Sequence, residues 1–261
     1  PSTTPIIHTE PLDPNKDWMG EVQRSWTPTI LAYTPTTTTP LVARLPFHDD
    51  SDVYRIVPTP DNFISIHLEG GAAFGTGDHP TTRLASQECA NVSQKGGRVL
   101  DYGAGSGVLA LVALASGAAE ADGVEVDQMA IESAARNAAL NEREESFTMW
   151  GPPLGATGSE IWDFDTGVVT ETPVAQPLPP PTADNLYDVV VANILAPILI
   201  DLKDVLYSYA KDGASLVLSG VLVEQADHVV EEFTAAGWRD VNVKKTDSMG
   251  GMEWCLIVGR K

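Results

Sequence analysis

From Gly97 onward the chain alternates strand-like and helix-like segments, a pattern that few folds accommodate. "RVLDYG" reads as a strand, "SGVLALVALASGA" as a helix and "ADGVEVD" as a strand. "QMAIESAARNAALNE" follows as an amphipathic helix, with Met129, Ile131, Ala135 and Ala138 on or near one face. The alternation breaks after "SFTMW" and resumes with "LYDVVVANIL", whose unbroken apolar run suits a parallel strand covered on both sides. A helix "APILIDLKDVLYSYA", a strand "ASLVLSGVL" and a helix "EQADHVVEEFTAAG" come next. The last two strands, "WRDVNVKKT" and "EWCLIVGR", are joined by a glycine-containing loop and should pair as a hairpin. Five βα units ending in a hairpin predict an α/β fold: a doubly wound, Rossmann-like, seven-stranded sheet with an antiparallel C-terminal hairpin.

The remaining segments carry less pattern. Residues 1–70 are rich in Pro and Thr and are expected to be an N-terminal appendage. It would hold a short helix in "NKDWMGEVQRSWTP", a loop at "TPTTTTP" and strands at "VYRIVP" and "FISIHL". Residues 71–261 then form the main domain, and the Pro-rich stretch 151–185 is a mobile surface insertion within it.

Charge narrows the partners. Thirty-six acids against 16 bases give a net charge of −20, which opposes direct binding to nucleic acid or to an anionic membrane and favours basic proteins. The two cysteines, Cys89 and Cys255, lie far apart and suggest a reduced, intracellular protein with no disulfide framework. No apolar stretch is long enough for a membrane span. The first residue is Pro rather than Met, so a trimmed presequence is expected, with the cytoplasm or an organelle (plastid or mitochondrion) as the compartment. His8, His48, His67, His79 and His228 are scattered, and no metal site is expected.

The chemistry concentrates in "DYGAGSG", Asp101 to Gly107, where the first strand of the alternating pattern turns into a helix. In an open α/β sheet this turn lies where ligands bind. Glu125, at the tip of the following strand, is placed to accept both hydroxyls of a ribose. Gly103 and Gly105 belong to a G-x-G-x-G spacing rather than the G-x-G-x-x-G of dinucleotide folds, and Asp101 stands two residues before the first glycine. That carboxylate would repel a pyrophosphate but would suit a ligand carrying an ammonium and a sulfonium, as S-adenosylmethionine does. Asn193, ending "VVVAN", should emerge at the topological switch point, where its amide can accept from an amine and donate to a cofactor; capping of the next helix is the competing role. A second glycine-bearing stretch, "AFGTGDHPTT" (73–82), precedes the helical run "TRLASQECA" and lacks any phosphate-loop pattern. His79, ahead of a proline, is expected to bond the backbone rather than act as a base. Trp238 and Trp254 are expected in the core of the terminal hairpin.

Together "AFGTGDHPTT", "DYGAGSGVLALVALASGA", "VVVANILA", "LSGVL" and "EWCLIVGRK" resemble the ribosomal protein L-eleven methyltransferases, from about Asp17 to Lys261 except for the insertion. The resemblance implies S-adenosylmethionine-dependent N-methylation of lysine side chains and the α-amine of a basic ribosomal protein, large-subunit protein L-eleven. It implies cofactor contacts at Thr82, Gly103, Glu125 and Asn193, and puts Phe74 and Gly75 in a loop that closes over the cofactor. Asn193 would also be the catalytic residue, orienting the lone pair of the acceptor nitrogen. The chain departs from the family pattern in having Glu125 for the usual Asp, a charged Asp78 that would favour a cationic substrate, the proline-rich insertion and a shorter N-terminal region. Two other readings stay open: the same chemistry on a different protein or small-molecule amine, and a non-catalytic ribosome-assembly factor of the same fold.

Overall fold

The computed structural model describes residues 26–59, 62–69, 77–93, 95–154, 162–163, 168–169, 176–184 and 186–261. The helix expected in "NKDWMGEVQRSWTP" lies almost entirely outside them, as do Phe74 and Gly75. The described chain begins with a three-stranded sheet in which β1 (Thr29–Tyr33) runs antiparallel to β2 (Pro40–Arg44), and β2 parallel to β3 (Ile64–His67). "VYRIVP" is not a strand: it continues helix α1 (Asp50–Tyr54) into a turn. The Asp49 carboxylate accepts from the Ser51 and Asp52 amides while Asp52 accepts from the Asp49 amide, a capping box that satisfies backbone donors at the helix start. Val53 and Val57, four residues apart, bury against Val42, so the apparent alternation was a helical period.

After α2 (Pro80–Val92) come β4 (Arg98–Tyr102), α3 (Val108–Ala115), β5 (Glu120–Val124), α4 (Gln128–Leu140) and β6 (Phe147–Trp150). A two-stranded ribbon, β7 (Trp162–Asp163) and β8 (Val168–Val169), lies inside the insertion. Then follow β9 (Tyr187–Asn193), α5 (Ala196–Tyr209), β10 (Ala210–Leu222), α6 (Ala226–Ala235), β11 (Arg239–Met249) and β12 (Met252–Arg260). The seven-stranded sheet has the order β11-β12-β10-β9-β4-β5-β6. Neighbours from β10 to β6 pair in parallel, and β12 is antiparallel to both β10 and β11. Gly250 and Gly251 close the hairpin with φ of +62° and +79°, the paired positive angles of a two-residue hairpin turn. Strand order reverses between β4 and β9, so their C-terminal tips open the crevice in which such sheets hold ligands.

Residues of α2, α3, α4 and the inner face of the N-terminal sheet share one apolar cluster, and α5 and α6 build the other. Helix α3, "VLALVALA", is buried from Val108 to Leu114, which anchors the turn before it. Each such Leu or Val contributes about 1.5–3 kcal/mol by leaving water. On α4 the buried face is Ala130, Ile131, Ala134 and Ala138, whereas Met129 and Ala135 are exposed. Following Asp127 as N-cap, the stripe is rotated by about one residue from the one expected. The third of the five βα units has no helix among the described residues. Instead Gly151 pairs with Pro177, Leu178 is buried, and the Tyr209 hydroxyl donates to the Pro179 carbonyl at 2.9 Å, so both described ends of the insertion are docked. Cys89 and Cys255 are buried free thiols, and among the described residues no helix is long and apolar enough to cross a membrane.

Candidate active site

The glycine turn between β4 and α3 is held from two neighbouring elements. The Gly103 and Ala104 amides donate to the last carbonyl of β5, Val124 O, at 2.8 and 3.0 Å. The Asn137 side chain of α4 donates to the Ser106 carbonyl at 2.8 Å. Gly103 itself must be glycine: its φ is +79°, and a Cβ there would stand 2.3 Å from the Ile194 side chain. The Glu125 carboxylate folds back over this turn. It accepts from the Gly105 amide at 2.9 Å and from the Val126 and Asp127 amides at 2.7 and 3.3 Å. Burial raises its pKa, and the three amides pull it partly back. The Glu125 side chain, where an Asp was the expected type, reaches the Gly105 amide.

Asp101 has a different position from the one its sequence context suggested. It is fully enclosed, and one oxygen accepts from the Ala110 amide at 3.1 Å. Gly107, at the N-cap of α3, offers no side chain, so Asp101 serves the helix from the strand beneath. Its other oxygen has no partner among the described residues. Burial pushes its pKa up to about 7. Asp101 therefore supports the turn from below rather than lining an open surface.

Across the switch point, Asn193 ends β9. It does not cap α5, whose N-cap is Leu195. Its Nδ2 stands 3.5 Å from Thr82 Oγ1, and its Oδ1 is buried without a partner among the described residues. Thr82 is fully buried near the start of α2. That helix is fixed on several sides: Gln87 bonds both the amide and carbonyl of Tyr33 in β1, Glu88 pairs with Lys244 of β11 at 2.6 Å, and Arg83 pairs with Asp247 at 3.2 Å. His79 is its N-cap and accepts from the Thr81 amide, as expected of a backbone-bonded histidine. Burial, and then Arg83, lower its pKa and so favour the neutral ring. Asp78 accepts from Thr29 Oγ1 of β1 at 2.9 Å, so this oxygen is engaged with the N-terminal sheet.

His79, Thr81, Asn193, Ile194, Ile198 and Trp254 line a cavity of about 410 Å³, with Leu195 exposed at its edge. None of the described lining residues is acidic, Lys or Arg. Trp254 is thus not simply core: it is half-buried, meets His79 edge to face at 5.0 Å, and its indole N–H is unpartnered among the described residues. Trp238 is buried as expected. Trp254 was missed because its strand pattern is that of any hairpin; only the 175-residue return of β12 to α2 brings it beside His79. Thus the structure brings Thr82 to Asn193, and Gly105 to Glu125, while Asp101 stays beneath the turn. Phe74 and Gly75 lie outside the described residues, and among those described no cluster of His, Cys, Asp or Glu is arranged for a metal.

A family model described as ribosomal protein L11 methyltransferase (PrmA) matches residues 9–261. A ribosomal protein L11 methyltransferase of Enterobacter sp. strain 638 is 36% identical over 208 residues, which is 80% of this chain and 60% of the relative. One of Chromobacterium violaceum is 41% identical over 172 residues, 66% of this chain and 48% of the relative. The chain therefore spans about half to three-fifths of the length of these curated relatives. Among solved structures, a ribosomal protein L11 methylase of Lactobacillus delbrueckii subsp. bulgaricus superposes with a TM-score of 0.61 at 24% identity, covering 83% of this chain and 93% of that one, and shares the fold.

Proposed function

Because the chain belongs to the ribosomal protein L11 methyltransferase family, we propose that it transfers methyl groups from S-adenosylmethionine to lysine side chains and/or the α-amine of ribosomal protein L11. The relatives' names supply the substrate of this reading. The observation that carries the chemistry is the unpartnered Asn193 Oδ1, a buried acceptor at the strand tip beside the glycine turn and on the wall of an uncharged cavity. A buried acceptor left unpaired costs about 1–3 kcal/mol. A bound N–H donor removes that cost.

The residues fit the cofactor. Glu125, Gly103 and Gly105 would hold its nucleoside, with the Glu125 carboxylate taking ribose hydroxyls, while Thr82 and Asn193 bound the site from the far side. Phe74 and Gly75 are assigned to the same site on the sequence resemblance alone. When bound, S-adenosylmethionine supplies a methyl group already activated on a sulfonium, so the protein is left with positioning, an effect of up to about 7–11 kcal/mol for a well-oriented pair. A lysine amine is protonated at neutral pH and must lose its proton to water before it can react. The cavity favours the neutral amine, because its apolar walls desolvate the ammonium and no described carboxylate lines it to stabilise the charge. Asn193 Oδ1 then accepts an N–H of that amine and turns its lone pair toward the reacting centre. The Trp254 ring, backed by His79, offers an apolar face to the alkyl stem. The test is to incubate the chain with S-adenosylmethionine and purified ribosomal protein L11 and to weigh the product intact. Whole methyl increments are expected. An unchanged mass, with calorimetry still showing cofactor binding, would reject the substrate and keep the pocket.

A further inference from the structure

We propose that Ser219 is a positioning residue, holding the first turn of α2 against the sheet so that Thr82 and the Asn193 amide meet at the right separation. Ser219 lies on β10 directly across from Asn193 in the parallel register, and it is completely buried. Its hydroxyl donates to the carbonyl of Thr81 at 3.1 Å, over a sequence separation of 138 residues. Thr81 is the neighbour of Thr82, so this bond fixes the backbone that carries the Thr82 hydroxyl. The Thr82–Asn193 contact, at 3.5 Å, is at the long limit of hydrogen bonding and cannot itself hold the helix. The 3.1 Å Ser219 bond, from the neighbouring strand β10 to the same turn of α2, is the shorter tie.

The next residue completes a bracket. Gly220 has φ of +80°, and a Cβ there would come within 2.6 Å of the Ile194 carbonyl oxygen. The tip of β10 thus passes close to the backbone of the residue after Asn193, an approach that Gly220 permits, and bonds the residue before Thr82 through Ser219. Both members of the site are set from one dipeptide, of which Gly220 lines the cavity and Ser219 does not.

The catalytic arm of the test rests on the methyltransferase reading, so a second readout is chosen that does not. The side-chain amide resonances of Asn193, identified in a ¹⁵N-labelled protein by their loss in Asn193→Ala, are compared between wild type and Ser219→Ala. A shift of that pair is expected; an unmoved pair overturns the proposal whether or not the protein methylates anything. In turnover with L11, Ser219→Ala should lower kcat about tenfold with the cofactor KM within about twofold, the size of one lost buried hydrogen bond. In an Asn193→Ala background the same substitution should have no further effect on kcat. Additive losses, or a change confined to KM, would overturn it. Ser219→Cys, which keeps the space filled, repeats both readouts should the alanine variant fail to fold. A wild type that does not methylate L11 would refute the proposed function and leave the resonance shift to decide this inference.

Discussion

The two sides of the crevice are built on opposite terms. On the β4–β5 side nearly every backbone donor of the glycine turn has its acceptor: Gly103 and Ala104 on Val124, Gly105 on Glu125, Gly107 on Ala104. On the β9 side two atoms of cavity-lining side chains, Asn193 Oδ1 and the Trp254 indole nitrogen, are buried without a partner among the described residues, as Asp101 Oδ1 is beneath the turn, and the Thr82 contact is stretched. The first side is a preformed cradle whose geometry does not wait for a ligand. In the second, on the function proposed above, a substrate amine would complete the Asn193 acceptor. A binding half should govern affinity and an unsatisfied half should govern rate, and substitutions can separate the two.

Asn193→Ala should have the largest effect. If Asn193 Oδ1 accepts from the reacting amine, as proposed, its removal is expected to lower the methylation rate by about 10²–10³-fold, comparable to deleting one preorganised polar group from an active site. Calorimetric cofactor affinity should change by far less. On the other side, Glu125→Ala should raise the cofactor Kd by about 10–100-fold, the loss of hydrogen bonds to a charged acceptor. Glu125→Asp tests why the longer side chain matters: a shorter acid should give up the Gly105 amide while still reaching a ribose, and a titration with adenosine would then show affinity kept within about threefold of wild type. If Asp binds as poorly as Ala, the folded-back carboxylate is itself the ribose site.

Smaller effects sharpen the same contrast. Trp254→Ala should raise the KM for L11 about fivefold or more with a lesser effect on cofactor Kd, because it removes the apolar wall against which the alkyl stem would be buried. Asp101 offers a test in pH. Its folded pKa lies above the ordinary 3.8, at about 7. Between those values the folded protein binds more protons than the unfolded one, so this group makes stability fall as pH rises from about 4 to about 7. Asp101→Asn should flatten that limb in urea titrations of the cofactor-free protein, and an unchanged slope would show that the buried acid does not titrate there.

Legibility in the sequence follows the same division. The cradle was readable because its determinants are local: "DYGAGSG" and Glu125 are strand-end features, and turn chemistry and strand periodicity place them. The hairpin was equally visible from alternating strands and a glycine-containing loop. What could not be read was assembly at a distance. Trp254 joins His79, and Ser219 joins Thr81, only once β10 and β12 return to α2. Local pattern also misled where two periods coincide: "VYRIVP" alternates like a strand, but Asp49 and Asp52 cap it as a helix. Asp101 was read by its neighbourhood as a ligand contact; only packing shows that it lies under the turn, bonded to Ala110.

Single-turnover methylation of L11 at saturating S-adenosylmethionine, run side by side on Glu125→Ala and Asn193→Ala, tests the division most directly. Saturation should restore Glu125→Ala to within about threefold of the wild-type rate, since only binding was lost, while Asn193→Ala stays at least about a hundredfold slow. A Glu125→Ala protein that remains slow when saturated, or an Asn193→Ala protein that recovers, would contradict the account.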